Sequence, residues 1–432
     1  MQTREWIEKY ANEEQLNRYH ELNPQYDIKI IGVTGTIAKT TVVELCYQYL
    51  SFLGKKSFMV GTSGIKCNTN GLNFVNFPCT SAPNKQFLVD VFLQAYKEEQ
   101  CEYLVLETTA ESTSIGAFED LDFEVLGLTN LYAGVVKSFD SDEDYFKHKA
   151  ALYCNNNIKT FCVNEQCYPI LMKYVPDDHV GEVVSYNKNK NIYYTDRLGY
   201  LTVIHENTTY ATNLLSTINV DEVLCFLTMM KALLLFNTHL LQRFLAAVSI
   251  PGRLQVVEID HRQIIIDTCY GGMDALLPYF NESDCTIPTT VILSTYFFNN
   301  DHDKSEDVKR KRMRKSSFFY ERGIPTIITA TGAKKNKNGE KGVAEIPDET
   351  VALEHLKEGN PNARVVSNRV DAIRMGFLET APGGRLVILG MGTETYVEAT
   401  NKETGEKVEV GDEFVVQQVA YELAALQNKK DN

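Results

Sequence analysis

The stretch IKIIGVTGTIAKTTVVELCYQYLSFLG, residues 28–54, decides the fold. It opens with an apolar, β-branched run, breaks at Gly32 and Gly35, and continues as KTTVVELCYQYLSFLG, apolar at helical spacing and closed by Gly54. Strand, glycine-bearing turn and helix in this order are the context in which a phosphate-binding loop works. The loop is degenerate: Ala38 stands where a glycine normally precedes the lysine, with Ile37 before it. Backbone N–H groups from Gly35 to Thr40 would cradle phosphate oxygens at a helix N-terminus. Lys39 would neutralise terminal phosphates, and the Thr40 hydroxyl would ligate Mg²⁺. Taken alone, the stretch fits a nucleotide loop or an ordinary structural turn. An alanine at position 38 costs something only if its φ is positive.

Outward from this loop, strands and helices alternate. KSFMVGT and EYLVLETT read as strands with the helix LVDVFLQAYKEE between them; DFEVLGLTNL is a further strand and EDYFKHKAALY a helix. Such alternation predicts an α/β fold whose mostly parallel sheet is covered on both faces. Residues 185–212 instead predict a small antiparallel patch. Upstream, TREWIEKYANEEQLNRYHEL reads as one helix ending before Asn23-Pro24. Downstream, IPGR marks a boundary near Pro251. Beyond it RQIIIDTCY, TTVILSTYF, PTIITATG, RVVSN and RLVILGMG start a second alternation, closed by a helix from about Glu413. The expected organisation is an N-terminal helix and connector over 1–25, a central P-loop domain over 26–250, and a Rossmann-like domain over 251–432.

The 432 residues give ample core for such domains. A net charge of -14 argues against general binding to nucleic acid or anionic membranes, though a local cationic pocket is compatible with it. Ten cysteines without a CxxC pair point to reduced thiols. The most apolar long stretch, VLCFLTMMKALLLF, carries Lys231 and is short for a membrane span. The chain opens on a charged, amphipathic segment rather than a signal peptide, so a soluble cytoplasmic protein is expected. The basic run KRKRMRK, Lys309–Lys315, reads first as a solvated helix face and second as a phosphate or nucleic-acid contact.

The ordered set GVTGTIAKTT, CTSAP, LVLETTAES, TNL, EDYFKHKAALY, INV, IPGR, IIIDTCY and GMGTE resembles the Mur ligase family. Those are ATP-dependent peptide synthases of cell-wall assembly, related to folylpolyglutamate synthase; the similarity is greatest to the branch that adds the third residue of the peptide stem. It runs from about Tyr19 to the C-terminus.

The resemblance implies ATP and Mg²⁺ as cofactors. The nucleotide would lie on Gly32, Gly35, Thr36, Ala38, Lys39, Thr40 and Thr41, with Arg253 reaching the γ-phosphate, Asp267 the ribose and Asn219 the adenine side. It makes Glu107 the acidic metal ligand, beside Thr40. Lys149 matches a lysine that family members carry as a carbamate, able to ligate or orient a second Mg²⁺. Lys39, Glu107, Arg253 and Lys149 form the catalytic set. The implied reaction has two steps: a carboxylate attacks the γ-phosphate, and an amine then displaces phosphate from the acyl phosphate.

The chain also departs from the family. Gly134, Val135 and Lys137 stand where Asp, His and Asp occur, and Thr109-Ala110 and Glu111 replace a serine pair and a histidine. Asp267-Thr268-Cys269-Tyr270 replaces Asp-Tyr-Ala-His, ATGAKKNKNGE replaces the Asp-Asn-Pro-Arg segment that reads diaminopimelate, and Gly390–Glu394 keeps only the glycines and the glutamate of Gly-Lys-Gly-His-Glu. No UDP-sugar-binding domain is legible ahead of residue 28. A small acid and an amine, such as an amino acid or short peptide, are therefore the expected substrates, unless a partner supplies the grip on a UDP-linked one. A binding protein that keeps the fold without turnover is the alternative.

Overall fold

A computed structural model describes residues 2–68, 73–74, 84–98, 101–133, 138–176, 181–268, 273–295, 306–331, 349–391, 396–400 and 407–430. The chain forms two compact units: residues 1–196 with 200–248, and residues 197–199 with 249–432.

The first unit is built on an eight-stranded sheet. Its strands are β1 (Lys29–Thr34), β2 (Ser57–Gly61), β3 (Gly64–Cys67), β4 (Asn73–Phe74), β5 (Tyr103–Glu107), β6 (Asp122–Leu128), β7 (Asn157–Asn164) and β8 (Glu182–Tyr186). They lie in the order β4-β3-β2-β5-β1-β6-β7-β8, parallel except for β3 and β4. β1 is central because it is apolar on both faces, and its neighbour β5 is buried along its whole length. The chain leaves β1 toward β2 on one side and passes to β6 on the other. The ends of β1, β5 and β6 thus form the crevice at a reversal of strand order, where ligands of open α/β sheets bind.

Residues 3–22 form two helices rather than the single one expected. The first, α1 (Thr3–Tyr10), ends at Ala11, and Asn12 caps α2 (Glu13–Leu22). The Asn12 side chain accepts from the Gln15 N–H at 2.9 Å, and the Gln15 side chain accepts from the Asn12 N–H at 3.1 Å. This reciprocal pairing satisfies two first-turn donors and holds the break. Both helices belong to the unit's core: Trp6 is buried edge-on against Phe92 and donates its indole N–H to the Glu119 carbonyl at 2.8 Å.

The antiparallel patch is smaller than the sequence suggests. Residues 185 and 186, at its expected start, belong to β8, which pairs parallel with β7. Only β9 (Ile192–Thr195), β10 (Tyr200–His205) and β11 (Thr208–Leu215) form the antiparallel sheet.

The second unit has a six-stranded sheet: β12 (Gln255–Ile259), β13 (Arg262–Asp267), β14 (Thr289–Ser294), β15 (Thr326–Thr329), β16 (Arg364–Val365) and β17 (Arg385–Leu389), ordered β12-β13-β17-β14-β15-β16. All but β12 are parallel, with Ile264, Ile266, Ile292, Ile327 and Ile388 in one core. β12 is an addition to the sequence reading. It joins β13 through Asp260 and His261, both at positive φ (48° and 58°), a turn that normally selects Asn-Gly. The Lys309–Lys315 run lies on the helix Glu306–Glu321, where Lys309 pairs with Glu358 and Lys311 with Asp307 while Arg312 is buried.

Candidate functional site

The loop between β1 and α3 (Lys39–Phe52) is shaped by glycine at one end and strained at the other. Gly35 has φ +143°, and a Cβ there would stand 2.0 Å from Thr129 Oγ1. Gly32 lies inside β1 rather than in the loop; a Cβ on it would meet Phe123 Cε1 at 2.7 Å, so packing against β6 requires the glycine. Ala38 is at φ +69°, the left-handed region in which a Cβ meets the following carbonyl. The missing glycine therefore has a cost. We expect Ala38→Gly to stabilise the protein by roughly 0.5–1 kcal/mol, the relief of a left-handed alanine less the entropy of an added glycine. Denaturant midpoints at constant slope measure this, and a lower midpoint would contradict it.

Two residues that the sequence reading quoted but gave no role hold the strained loop. The Asn130 side-chain oxygen accepts from the Ile37 N–H at 3.0 Å, and its amide donates to the Ile37 carbonyl at 3.1 Å. Thr129 donates to the same carbonyl at 2.8 Å. The Thr36 hydroxyl accepts from the Tyr132 N–H and the Tyr145 hydroxyl, each at 3.0 Å. The loop is thus fastened to the segment after β6 and to α6, the helix Asp142–Cys154 reached past α4 (Lys85–Lys97) and α5 (Ala110–Ser114).

At the start of α3, Lys39 Nζ donates to the Thr36 carbonyl at 3.1 Å. Thr40 Oγ1 lies 3.3 and 3.2 Å from the two Glu107 carboxylate oxygens, and both residues are buried. Thr41 is buried in the same turn. The Thr62 N–H donates to Glu107 Oε2 at 2.8 Å. α3 itself has no acidic residue in its first turn; the carboxylate beside that turn is Glu107, from β5.

Lys149 is only 2% exposed, on α6, where an ordinary helix lysine would face water. Its Nζ donates to Thr34 Oγ1 at 3.0 Å and reaches the Thr108 carbonyl at 3.5 Å. Burial, and then the Lys39 charge, hold its pKa well below the usual lysine range, with Glu111 and Glu107 opposing. Glu111 accepts from the Ser138 hydroxyl at 2.9 Å. Burial raises its pKa, but its own N–H, Ser138, Lys149 and Lys39 together hold it below the usual range.

The structure thus brings Gly35, Thr36, Ala38, Lys39, Thr40, Thr41, Glu107 and Lys149 to the ends of β1 and β5. Asn219, in the same unit, stands at the N-cap position of the helix Val220–Ala232 without a side-chain cap bond, and its amide instead donates to the Leu215 carbonyl at 2.7 Å. In the second unit Arg253 and Asp267 meet around one turn: Arg253 donates to the Thr268 hydroxyl, and Asp267 accepts from the Leu254 N–H at 2.8 Å. Gly134, Val135, Lys137, Cys269, Tyr270 and Gly392–Glu394 lie outside the described residues. Among the described residues, no group of three or more His, Cys, Asp and Glu side chains is placed to hold a metal, and no helix is long and apolar enough to cross a membrane.

Residues 33–229 match the Mur ligase middle domain. A UDP-N-acetylmuramoyl-L-alanyl-D-glutamate--2,6-diaminopimelate ligase of Buchnera aphidicola is 26% identical over 181 residues, 41% of this chain and 35% of that enzyme. The enzyme of the same name from Aquifex aeolicus is 24% identical over 407 residues, covering 92% of this chain and 78% of its own length. Among solved structures, Mycobacterium tuberculosis folylpolyglutamate synthase complexed with ADP and AMPPCP superposes with a TM-score of 0.61 at 13% identity, over 90% of this chain and 94% of that one.

Proposed function

We propose, from the premise that residues 33–229 are a Mur ligase middle domain, that the protein is an ATP-dependent ligase joining a carboxylic acid to an amine. The observation that carries this reading is the meeting of Lys39, the Thr40–Glu107 pair and buried Lys149 at one helix N-terminus. No acid–base or nucleophilic side chain is needed for the chemistry. Acid carboxylate oxygen attacks the γ-phosphorus, the bond to the β,γ-bridging oxygen breaks, and ADP leaves. The amine then attacks the acyl carbon, and phosphate departs carrying one former carboxylate oxygen. Lys39 and the first-turn amides of α3 would hold the phosphates, and positioning and charge neutralisation would supply most of the rate. Arg253 is assigned the γ-phosphate, Asp267 the ribose and Asn219 the adenine side.

Thr40 and Glu107 fit Mg²⁺: they are hard oxygen donors on adjacent elements, and this ion keeps waters and phosphate oxygens as its other ligands. Bound there, Mg²⁺ would neutralise charge on the β- and γ-phosphates. We assign an acid without a UDP handle, a reading supported by analogy with folylpolyglutamate synthase, whose name carries no UDP group. The replaced Asp-Asn-Pro-Arg segment argues for an amine other than diaminopimelate. The test is ADP release from Mg·ATP with pools of free and UDP-linked acids and of amines. Release that requires a free acid, with net turnover requiring an amine, is the expected result. ATP binding without release in any pool would favour a binding protein, and release with UDP-linked acids alone would overturn the substrate assignment.

Lys149 is assigned the carbamate. A neutral amine is the form that adds CO₂: its lone pair attacks the carbon and one N–H proton leaves to solvent. Burial favours that neutral form. ¹³C-bicarbonate is expected to give a carbamate NMR signal in the wild type that Lys149→Met lacks; identical spectra would contradict the assignment.

A further inference from the structure

We infer that Glu44 is a positioning residue for the Glu107 carboxylate, acting through the turn Thr62–Ser63; this rests on the reading of Glu107 as a metal ligand. Thr40 and Glu44 lie one turn apart on the same face of α3. Thr40 touches Glu107 directly. Glu44 is 0% exposed, and its Oε1 accepts from the Ser63 hydroxyl at 2.5 Å and from the Lys66 ammonium. Its Oε2 accepts from the Gln48 amide at 3.1 Å. Donors on both oxygens fix the carboxylate's rotation.

Ser63 and Thr62 are the two-residue turn between β2 and β3, bounded by the Gly61–Gly64 pair. The Thr62 N–H holds Glu107 Oε2, and a Cβ at Gly61 would stand 3.0 Å from that same oxygen. The Glu107 carboxylate is therefore gripped by α3 on one side and, on the other, by a turn that α3 holds through Glu44.

An ionic tie is an expensive way to obtain mere cohesion. Desolvating a carboxylate and an ammonium costs several kcal/mol per ion, and well-packed apolar residues would often serve stability as well or better. What a three-donor carboxylate adds is direction: it sets where the Ser63 hydroxyl, and so the Thr62 amide, points. Groups that orient a metal ligand in this way typically change metal affinity 10–100-fold when removed.

The probe is Mn²⁺, followed by its EPR signal, titrated into the full chain with AMPPCP. Ser63→Ala and the paired change Glu44→Gln with Lys66→Met are the variants; the pair avoids leaving the partly buried Lys66 ammonium without its carboxylate. Both are expected to weaken Mn²⁺ binding about tenfold, while AMPPCP binding in EDTA stays at the wild-type level. Variants that lose thermal stability yet bind Mn²⁺ like the wild type would overturn the positioning role and leave only a structural tie. A wild type whose nucleotide binding ignores Mn²⁺ would overturn both this inference and the metal assignment beneath it.

Discussion

Lys39→Met is expected to lower acid-dependent ADP release about a hundredfold or more while leaving the protein folded. Among the described residues, the hydrogen bond Lys39 makes is to the Thr36 carbonyl of its own loop, so little of the fold depends on it. Its charge stands at the helix N-terminus, where negative charge would build on the β,γ-bridging oxygen as ADP leaves. Removing one preorganised charge-stabilising group from such a site typically costs 10²–10³ in kcat. The substitution also deletes a cation beside Lys149, which eases the pressure on that amine to stay neutral. The checks are steady-state ADP release and far-UV circular dichroism on the same sample. Release unchanged within a few-fold would remove Lys39 from the phosphate site.

The second large effect concerns stability and pH. Glu222 is 5% exposed in the first turn of the helix Val220–Ala232. Burial pushes its carboxyl up to about 8 from an ordinary 4.5; its own N–H opposes the shift, Asp221 adds to it and Lys188 opposes it. Lys188 is committed to Asp221 at 3.3 Å, so it does not neutralise Glu222. Between those two pKa values the folded state keeps a proton that the unfolded state has released. Stability therefore falls as pH rises through that window and levels off above it. Glu222→Gln mimics the protonated side chain and removes the fall. We expect variant and wild type to match below about pH 5, and the variant to gain a few kcal/mol, up to roughly 4, near pH 9. Urea titrations at several pH values measure the difference; a constant difference across pH would contradict it.

The fold was legible where residues repeat with a period. Strands buried on both faces write themselves as apolar runs, which is why β1, β5, β6 and β17 stand out in the sequence. Errors came where one local feature outweighs periodicity. The apolar spacing of residues 3–22 continues across Asn12, but the Asn12–Gln15 cap is worth more than helix continuity there. Its Asn-x-x-Gln spacing was the available signal. β8 has the exposed, alternating look of an antiparallel strand because it is an edge, not because of its direction. β12 was hidden by a turn whose Asp260 and His261 are unusual at positive φ.

The candidate site was legible as residue types at motif spacing, but not as a hydrogen-bonded object. The loop's spacing pointed to Lys39 and Thr40, and the family resemblance to Glu107. It gave no reason to find Lys149 buried, or to find Thr129 and Asn130 closing the Ile37 carbonyl. It gave none for Glu44 either, since three-donor contacts arise from residues 4 to 22 positions away. The defect at Ala38 now has a physical description: it is a local strain in the backbone, held by neighbours, with Lys39 and Thr40 retained beside it.

The most direct measurement of the central claim follows oxygen. Acids labelled with ¹⁸O in both carboxylate oxygens are incubated with Mg·ATP, an amine pool and the protein, and the released phosphate is analysed by mass. A ligase that activates its acid as an acyl phosphate delivers one ¹⁸O to each phosphate formed in the coupled reaction. Phosphate free of ¹⁸O, formed at the same rate with or without acid, would mean that water takes the phosphoryl group and would contradict the assignment.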